Sequence, residues 1–296
     1  MFWCTHSVLG DAAGHIEMAV RITTLIENTA SRMGLLAEWG LSILVQVDGL
    51  TILFDTGQTD SAVRNAPAMG IDLSTIDKIV LSHGHPDHTG GLRSVLKAAK
   101  KQVEVIAHPD VWQPKYIRRP GEPSYRYIGI PYRRQELESL GASFTLAEEP
   151  RWLADNVVTT GEIPMQTGYE QIDPGLYSLE EGRMVPDRLR DDMAVVIKLA
   201  TGLVLVGGCT HRGLINTVVQ AQRITGRESV SLIVGGTHLI RAGEEQLERT
   251  VATLRGMGIG RLGVSHCTGF PATLRLAQEF GDRFFLNNAG TCLELD

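Results

Sequence analysis

The apolar residues of this chain come in short blocks. Residues 19–57 carry three runs, A-V-R-I-T-T-L-I-E-N, L-S-I-L-V-Q-V-D and L-T-I-L-F-D-T-G, set apart by Gly34, Gly40 and Gly49. Aliphatic and β-branched residues bounded by turn signals predict three strands, and their succession predicts an antiparallel meander. The rhythm then changes. D-K-I-V-L-S-H reads as a buried strand, G-L-R-S-V-L-K-A-A-K-K has helical spacing, and Q-V-E-V-I-A-H is another strand. The second half repeats this alternation: G-L-V-L-V-G-G-C, V-S-L-I-V-G-G-T-H, R-L-G-V-S-H-C and R-F-F-L-N-N are separated by helical stretches near 213–225, 244–257 and 271–280. Leu247, Val251 and Leu254 form the buried stripe of the middle helix, and Gly256 and Gly258 stop it. Two mixed β/α halves without a low-complexity linker predict sheet-on-sheet packing with helices outside, in a single domain over residues 1–296.

Composition narrows the function classes. The chain has 296 residues, 43% of them hydrophobic, and 28 Lys and Arg against 34 Asp and Glu, a net charge of −6. Disorder, collagen and a disulfide scaffold are excluded. An acidic balance argues against a protein that wraps nucleic acid nonspecifically. No apolar run approaches the roughly 20 residues of a membrane span. The start, M-F-W-C-T-H-S-V-L-G-D, has no basic stretch and does not resemble a secretory signal, so the expected location is the cytoplasm. Cys4, Cys209, Cys267 and Cys292 form no C-x-x-C, which indicates neither a disulfide framework nor a zinc ribbon.

The chemistry gathers where the strand D-K-I-V-L-S ends, at H-G-H-P-D-H-T-G-G. In a loop leaving a strand, His83 and His85 can point the same way, while Asp87 and His88 fall on the next turn and face a second position. Neutral imidazole and carboxylate suit Zn²⁺, Mn²⁺ or Fe, and a set split this way can hold one or two divalent ions, two of them about 3.5–4 Å apart; zinc is the first expectation. The G-x-G-x-x-G at Gly258, Gly260 and Gly263 follows a helix and opens a strand, the reverse of a dinucleotide fingerprint. A phosphate-cradling G-x-x-x-x-G-K-[ST] and a G-x-S-x-G serine elbow are absent from the sequence.

H-x-H-x-D-H after a buried strand, preceded by a strand ending in F-D-T-G at Asp55, resembles the metallo-β-lactamase-fold hydrolases. Further stretches, T-G-E-I-P, D-D-M-A-V-V-I, G-G-C-T-H-R-G-L-I-N, G-G-T-H-L and S-H-C-T-G, resemble the branch named after dihydropterin-ribofuranosylaminobenzene 5′-phosphate synthase. The resemblance runs from about residue 20 to the C-terminus. It implies a four-layer αββα sandwich, of mixed α/β class, with a metal site at the mouth of the two sheets. His266 matches the last His of the superfamily pattern and Cys209 its bridging position. The middle His has no match, because no histidine lies between His108 and His211. Glu162 and His211 compete for that place; the Gly207, Gly208 and Gly213 neighbours favour His211. His238 is expected to clamp substrate or donate a proton. His108, before Pro109, reads as a capping or packing residue, and His6 and His15 carry no signal.

One segment has charge of its own. Residues 110–134 hold Lys115, Arg118, Arg119, Arg126, Arg133 and Arg134 against Asp110 and Glu122, interleaved with Trp112 and four tyrosines. Four prolines predict an irregular arm or lid. Arg118, Arg119 and Tyr125 are candidates for binding a phosphorylated small molecule, and the same composition leaves room for a homo-oligomer interface. The expected function is a metal-dependent hydrolase. Its metal would lower the pKa of bound water from about 15.7 to about 7, with Asp87 orienting the hydroxide and His238 or an arm arginine steadying developing charge. The alternatives are a synthase like the one naming the branch, with the metal as Lewis acid, and a non-catalytic metal-binding regulatory module.

Overall fold

The computed structural model describes residues 20–295; the reading of the N-terminus, Cys4, His6 and His15 lie outside them. Two seven-stranded mixed sheets face each other. The first runs in the order Cys292–Leu295, Val20–Ile26, Ser42–Val47, Leu50–Phe54, Lys78–Val80, Val103–Ala107, Ala142–Leu146. The second runs Phe284–Leu286, Arg261–Ser265, Val230–Gly236, Gly202–Gly207, Ala194–Leu199, Val157–Thr159, Trp152–Ala154. The predicted meander is present: Val20–Ile26, Ser42–Val47 and Leu50–Phe54 pair antiparallel in succession.

Strand composition explains the layering. Along Ser42–Val47, Ile43 and Val45 enter the core between the sheets, while Leu44 faces the outer layer with Leu25, Leu53, Ile79 and Val105. The opposite sheet behaves alike, with Val195, Ile197, Val204 and Val206 inward and Ala194, Val196, Leu203 and Leu205 outward. A strand covered on both faces needs an unbroken apolar run, which is why these segments do not alternate with polar residues. The helix Leu92–Ala99 covers the first sheet through Leu92, Val95 and Leu96. Leu214–Thr225, Glu244–Gly256 and Phe270–Phe280 cover the second. Val251 and Leu254 of the middle helix are buried, Leu247 packs beside them, and Gly258 leaves the helix with φ +67°. The result is an αββα sandwich.

Two departures from the sequence reading matter. The terminal strand Cys292–Leu295 returns to pair with Val20–Ile26, so the first sheet draws on both ends of the described chain. Residues 110–134 are also more regular than an irregular arm. Lys115–Ile117 pairs with Arg126–Tyr127 on one side and with Leu176–Glu180 on the other, and Leu176–Glu180 pairs in turn with Arg183–Pro186, in a separate four-stranded sheet. Prolines 114, 120, 123 and 131 flank these short strands without interrupting them.

That small sheet is pinned by a buried charge. Lys115 is fully buried, and its Nζ donates to Asp191 at 2.8 Å and Asp187 at 3.1 Å. Burial works against the ammonium, but the two carboxylates outweigh it and raise its pKa. Removing one partner leaves uncompensated buried charge, so Lys115→Ala is expected to cost about 3–5 kcal/mol in urea unfolding, against less than about 1 kcal/mol for Arg21→Ala in the surface pair with Glu294. Equal losses for the two variants would show that the buried pair does not hold this sheet.

Candidate metal centre

The site lies at the carboxyl ends of strands from both sheets. Leu50–Phe54 delivers Asp55, Lys78–Val80 leads to Ser82 and His83, Gly202–Gly207 to Cys209 and His211, Val230–Gly236 to His238, and Arg261–Ser265 to His266. Four of the residues at these exits have left-handed backbones without being glycine: Asp55 at φ +59°, Thr210 at +52°, His238 at +49° and His266 at +51°. Each such residue costs of order 1 kcal/mol and persists only where its surroundings over-determine it.

Asp55 ties the loops together. Its carboxylate accepts the Ser82 backbone N–H at 2.7 Å, the Ser82 hydroxyl at 2.7 Å and the His88 Nδ1–H at 2.6 Å, with no exposure to solvent. Because the Ser82 hydroxyl gives its proton to Asp55, its oxygen is left to accept from His83 Nδ1, 2.8 Å away. Close approach needs small neighbours. A Cβ on Gly208 would lie 2.2 Å from Ser82 Oγ, and one on Gly91 2.0 Å from the Thr56 carbonyl.

Two groups of donors result. His83 Nε2 lies 3.0 Å from His85 Nδ1 and 3.2 Å from His211 Nε2. Burial holds all three imidazoles neutral: His83 and His211 well below their ordinary value and His85 pushed down to about 3. With the His83 proton on Nδ1, its Nε2 presents a lone pair to the other rings. The second group is Asp87, His88 and His266, where His266 Nε2 is 3.2 Å from the Asp87 carboxylate. Burial would raise Asp87, but His88 and His266 hold it well below the usual carboxylate range. His88 is raised to about 9, since Asp55 and Asp87 outweigh its burial. Cys209 Sγ sits 3.1 Å from His88 Nε2, its thiol pushed up by burial. His266 is oriented by the end of the first strand: Asn28 Oδ1 accepts from its Nδ1 at 2.9 Å, and Glu27 accepts its backbone N–H at 2.6 Å.

The structure thus brings His83, His85, Asp87, His88, Cys209, His211 and His266 together. Glu162 goes elsewhere: its carboxylate accepts from Arg212 Nη1 at 2.8 Å. His238 stacks 4.0 Å from His211, centroid to centroid, and groups with Cys209 and Cys267; its backbone N–H donates to Cys267 Sγ at 3.3 Å. Burial lowers His238, but Cys267, Asp173 and Asp192 outweigh it and raise its pKa. His108 Nδ1 accepts the Asp110 N–H and caps the short turn 109–112. The arm candidates are engaged by other side chains. Arg118 lies over Tyr125 at 4.4 Å and near Tyr177, and Arg119 pairs with Asp173 at 2.7 Å.

Cys267, Asn28, Glu27 and Asp192 did not stand out in the sequence. Asp192 is buried and accepts the Arg212 backbone N–H at 2.8 Å, and burial pushes its pKa up to about 7. The D-D-M-A run was its only signal, and it lies far in sequence from the histidines it approaches. Clusters of this composition give the protein capacity for one or more divalent ions. Among the described residues, no helix is long and apolar enough to cross a membrane.

Comparison with known proteins agrees with this geometry. The sequence profile of the metallo-β-lactamase superfamily matches residues 40–170. The 7,8-dihydropterin-6-methyl-4-(β-D-ribofuranosyl)-aminobenzene-5′-phosphate synthase of Methanocaldococcus jannaschii is 32% identical over 286 residues, covering 93% of this chain and 96% of that protein. A second, uncharacterised protein of that organism is 31% identical, over 87% of this chain and 94% of its own length. A crystal structure described as a metal-dependent hydrolase of the β-lactamase superfamily superposes with a TM-score of 0.81 at 26% identity, covering 94% of this chain and 99% of that one. With an αββα sandwich, donor clusters at its mouth and a full-length relative at this identity, the chain belongs to the metallo-β-lactamase superfamily.

Proposed function

We propose that the protein is a metal-dependent enzyme that joins a dihydropterin to a ribofuranosylaminobenzene phosphate, as its 32% identical relative is named for doing. The observation that carries the metal dependence is the meeting of three neutral imidazoles with nitrogens 3.0–3.2 Å apart. With its proton on Nδ1, His83 Nε2 can accept an N–H from only one of the two rings at a time, and with the protons of all three rings turned outward the lone pairs converge as the ligands of a cation do. His83 Nε2, His85 Nδ1 and His211 Nε2 would hold one ion, and Asp87, His88 and His266 a second, with Cys209 beside both. Imidazole, carboxylate and thiolate together favour zinc, with manganese or iron as the competing ions. A bound ion would supply Lewis acidity at the reacting centre.

The chain's own groups do the remaining work. Asp55 fixes His88 through Nδ1, Ser82 fixes His83 and Asn28 fixes His266, so each ring turns Nε2 inward. Asp87 contributes fixed negative charge. His238, held above its ordinary value by Cys267, Asp173 and Asp192, would present a proton to the substrate. His83, His85, His88, Cys209, His211 and His266 are buried, while Asp87 and His238 keep partial exposure on the side a substrate would approach. A hydrolase is the second reading, favoured by the 0.81 superposition on a structure described as one.

Two experiments test this. Protein loaded with zinc, manganese or iron is incubated with a dihydropterin and a ribofuranosylaminobenzene phosphate, and separately with phosphoesters, thioesters and lactones. Joining is the expected outcome; turnover of the second panel alone would favour the hydrolase, and a loaded but inert protein would leave a metal-binding module. His83→Ala/His85→Ala is expected to lose metal and turnover together. In the second experiment, Asp55→Asn is titrated against a chromophoric chelator, with an expected loss of roughly 10–100-fold in metal affinity. Affinity within twofold of the unmodified protein would remove Asp55 from the network that holds the ion.

A further inference from the structure

Between Pro186 and Met193 the chain reads D-R-L-R-D-D, and this hexapeptide is fastened to both halves of the centre. Asp187 and Asp191 hold the buried Lys115, Asp191 also accepts the Gly84 backbone N–H at 2.7 Å between His83 and His85, and Asp192 accepts the Arg212 N–H next to His211. In its middle, Leu189 is fully buried yet left-handed, at φ +44°. Fixing Leu189 in the core leaves Arg188 and Arg190 on the exposed side of the turn.

Those two arginines line a cavity of about 730 Å³ together with Arg212, Glu162, Met165 and Asp187. The volume suits a small molecule. Three carboxylates lie on its wall: Asp187 bonds Lys115 and the Leu189 N–H, Glu162 bonds Arg212, and Glu180 accepts from Gln113 at 3.2 Å and Ser178 at 3.4 Å. Arg188 and Arg190 have no ion pair or hydrogen bond among the described residues. Arg212 is nine-tenths buried, and its Nε has no partner. Buried guanidinium N–H groups without acceptors are costly, and oxygens of a phosphate are the acceptors that best match their geometry.

We infer that this cavity, walled by Arg188, Arg190 and Arg212, seats the phosphate of a phosphorylated sugar whose other end reaches the metal centre. The inference rests on the reading of that centre as the reactive site, and it places the anion-binding charge in the D-R-L-R-D-D turn instead of in the arm. Arg188 and Arg190 would supply charge from the open side, while Arg212 would orient the phosphate beside His211.

The test uses ribose 5-phosphate, ribose and inorganic phosphate as probes in calorimetric titrations of the full chain. Ribose 5-phosphate and phosphate are expected to bind and ribose not to bind. Arg188→Ala and Arg190→Ala, on exposed side chains, are each expected to weaken ribose 5-phosphate about tenfold, and the double variant about a hundredfold. His83→Ala/His85→Ala, checked for folding by circular dichroism, is expected to retain binding within about threefold. Undiminished binding in the double arginine variant would overturn the proposal. So would loss of binding in the histidine variant alone, which would put the phosphate on the metal, or absence of binding in the unmodified protein. A protein that takes up no metal yet keeps arginine-dependent phosphate binding would lose the functional reading and keep this site.

Discussion

A carboxylate with no access to water must be compensated in place, and the site is organised around how Asp55 meets that demand. Three donors surround it, two from Ser82 and one from His88, and each belongs to the loop that carries the metal-ligating pattern. The compensation therefore does structural work: it sets the start of the loop through the Ser82 backbone and turns the His88 ring. The Ser82 hydroxyl passes the effect to His83. One buried charge thus orders two rings of separate donor groups, and the left-handed backbone of Asp55 is tolerated because these bonds far exceed its cost.

The second sheet meets this hub through glycine. Gly208 approaches Ser82 and Asp55 so closely that no side chain fits, and the two residues after it are Cys209 and Thr210. Met193 N–H bonds the Ser82 carbonyl from the neighbouring strand. The mouth of the sandwich is thus a place where two sheets are joined by polar bonds, in contrast to the purely apolar contact between Ile43, Phe54, Val195 and Val206 deeper in the core. Rigid apolar layers below and a hydrogen-bonded seam above make a scaffold in which strained residues such as His266, clamped by Glu27 and Asn28, can be held.

How much of this could be read in the sequence depended on range. The strands around Ile43, Leu53, Val204 and Ile233 were legible because burial on both faces imposes long apolar runs. His83, His85, Asp87 and His88 were legible because one loop carries them all. The convergence of His211 with His83 was favoured by its glycine neighbours, but Glu162 stayed a competing candidate until its pairing with Arg212 was visible. The return of Cys292–Leu295 to Val20–Ile26, and the contacts of Asn28 with His266, span more than 230 residues and leave no local pattern. Short strands such as Lys115–Ile117 were hidden by the prolines that bound them.

Charge shows the same limit from another side. Counting cations along residues 110–134 draws attention to Arg118 and Arg119, yet these side chains are taken up by Tyr125, Tyr177 and Asp173 within the fold. The sequence D-R-L-R-D-D is slightly acidic by comparison, with three acids beside two arginines. Its acids, however, point inward to Lys115, Gly84 and the Arg212 backbone, and their negative charge is spent on protein donors. What a ligand meets is the remainder after such pairing, so a segment of low net charge can present more available positive charge than one rich in arginine. The direction in which each side chain leaves the turn decides it, and at Arg188 and Arg190 that direction is set by the burial of Leu189.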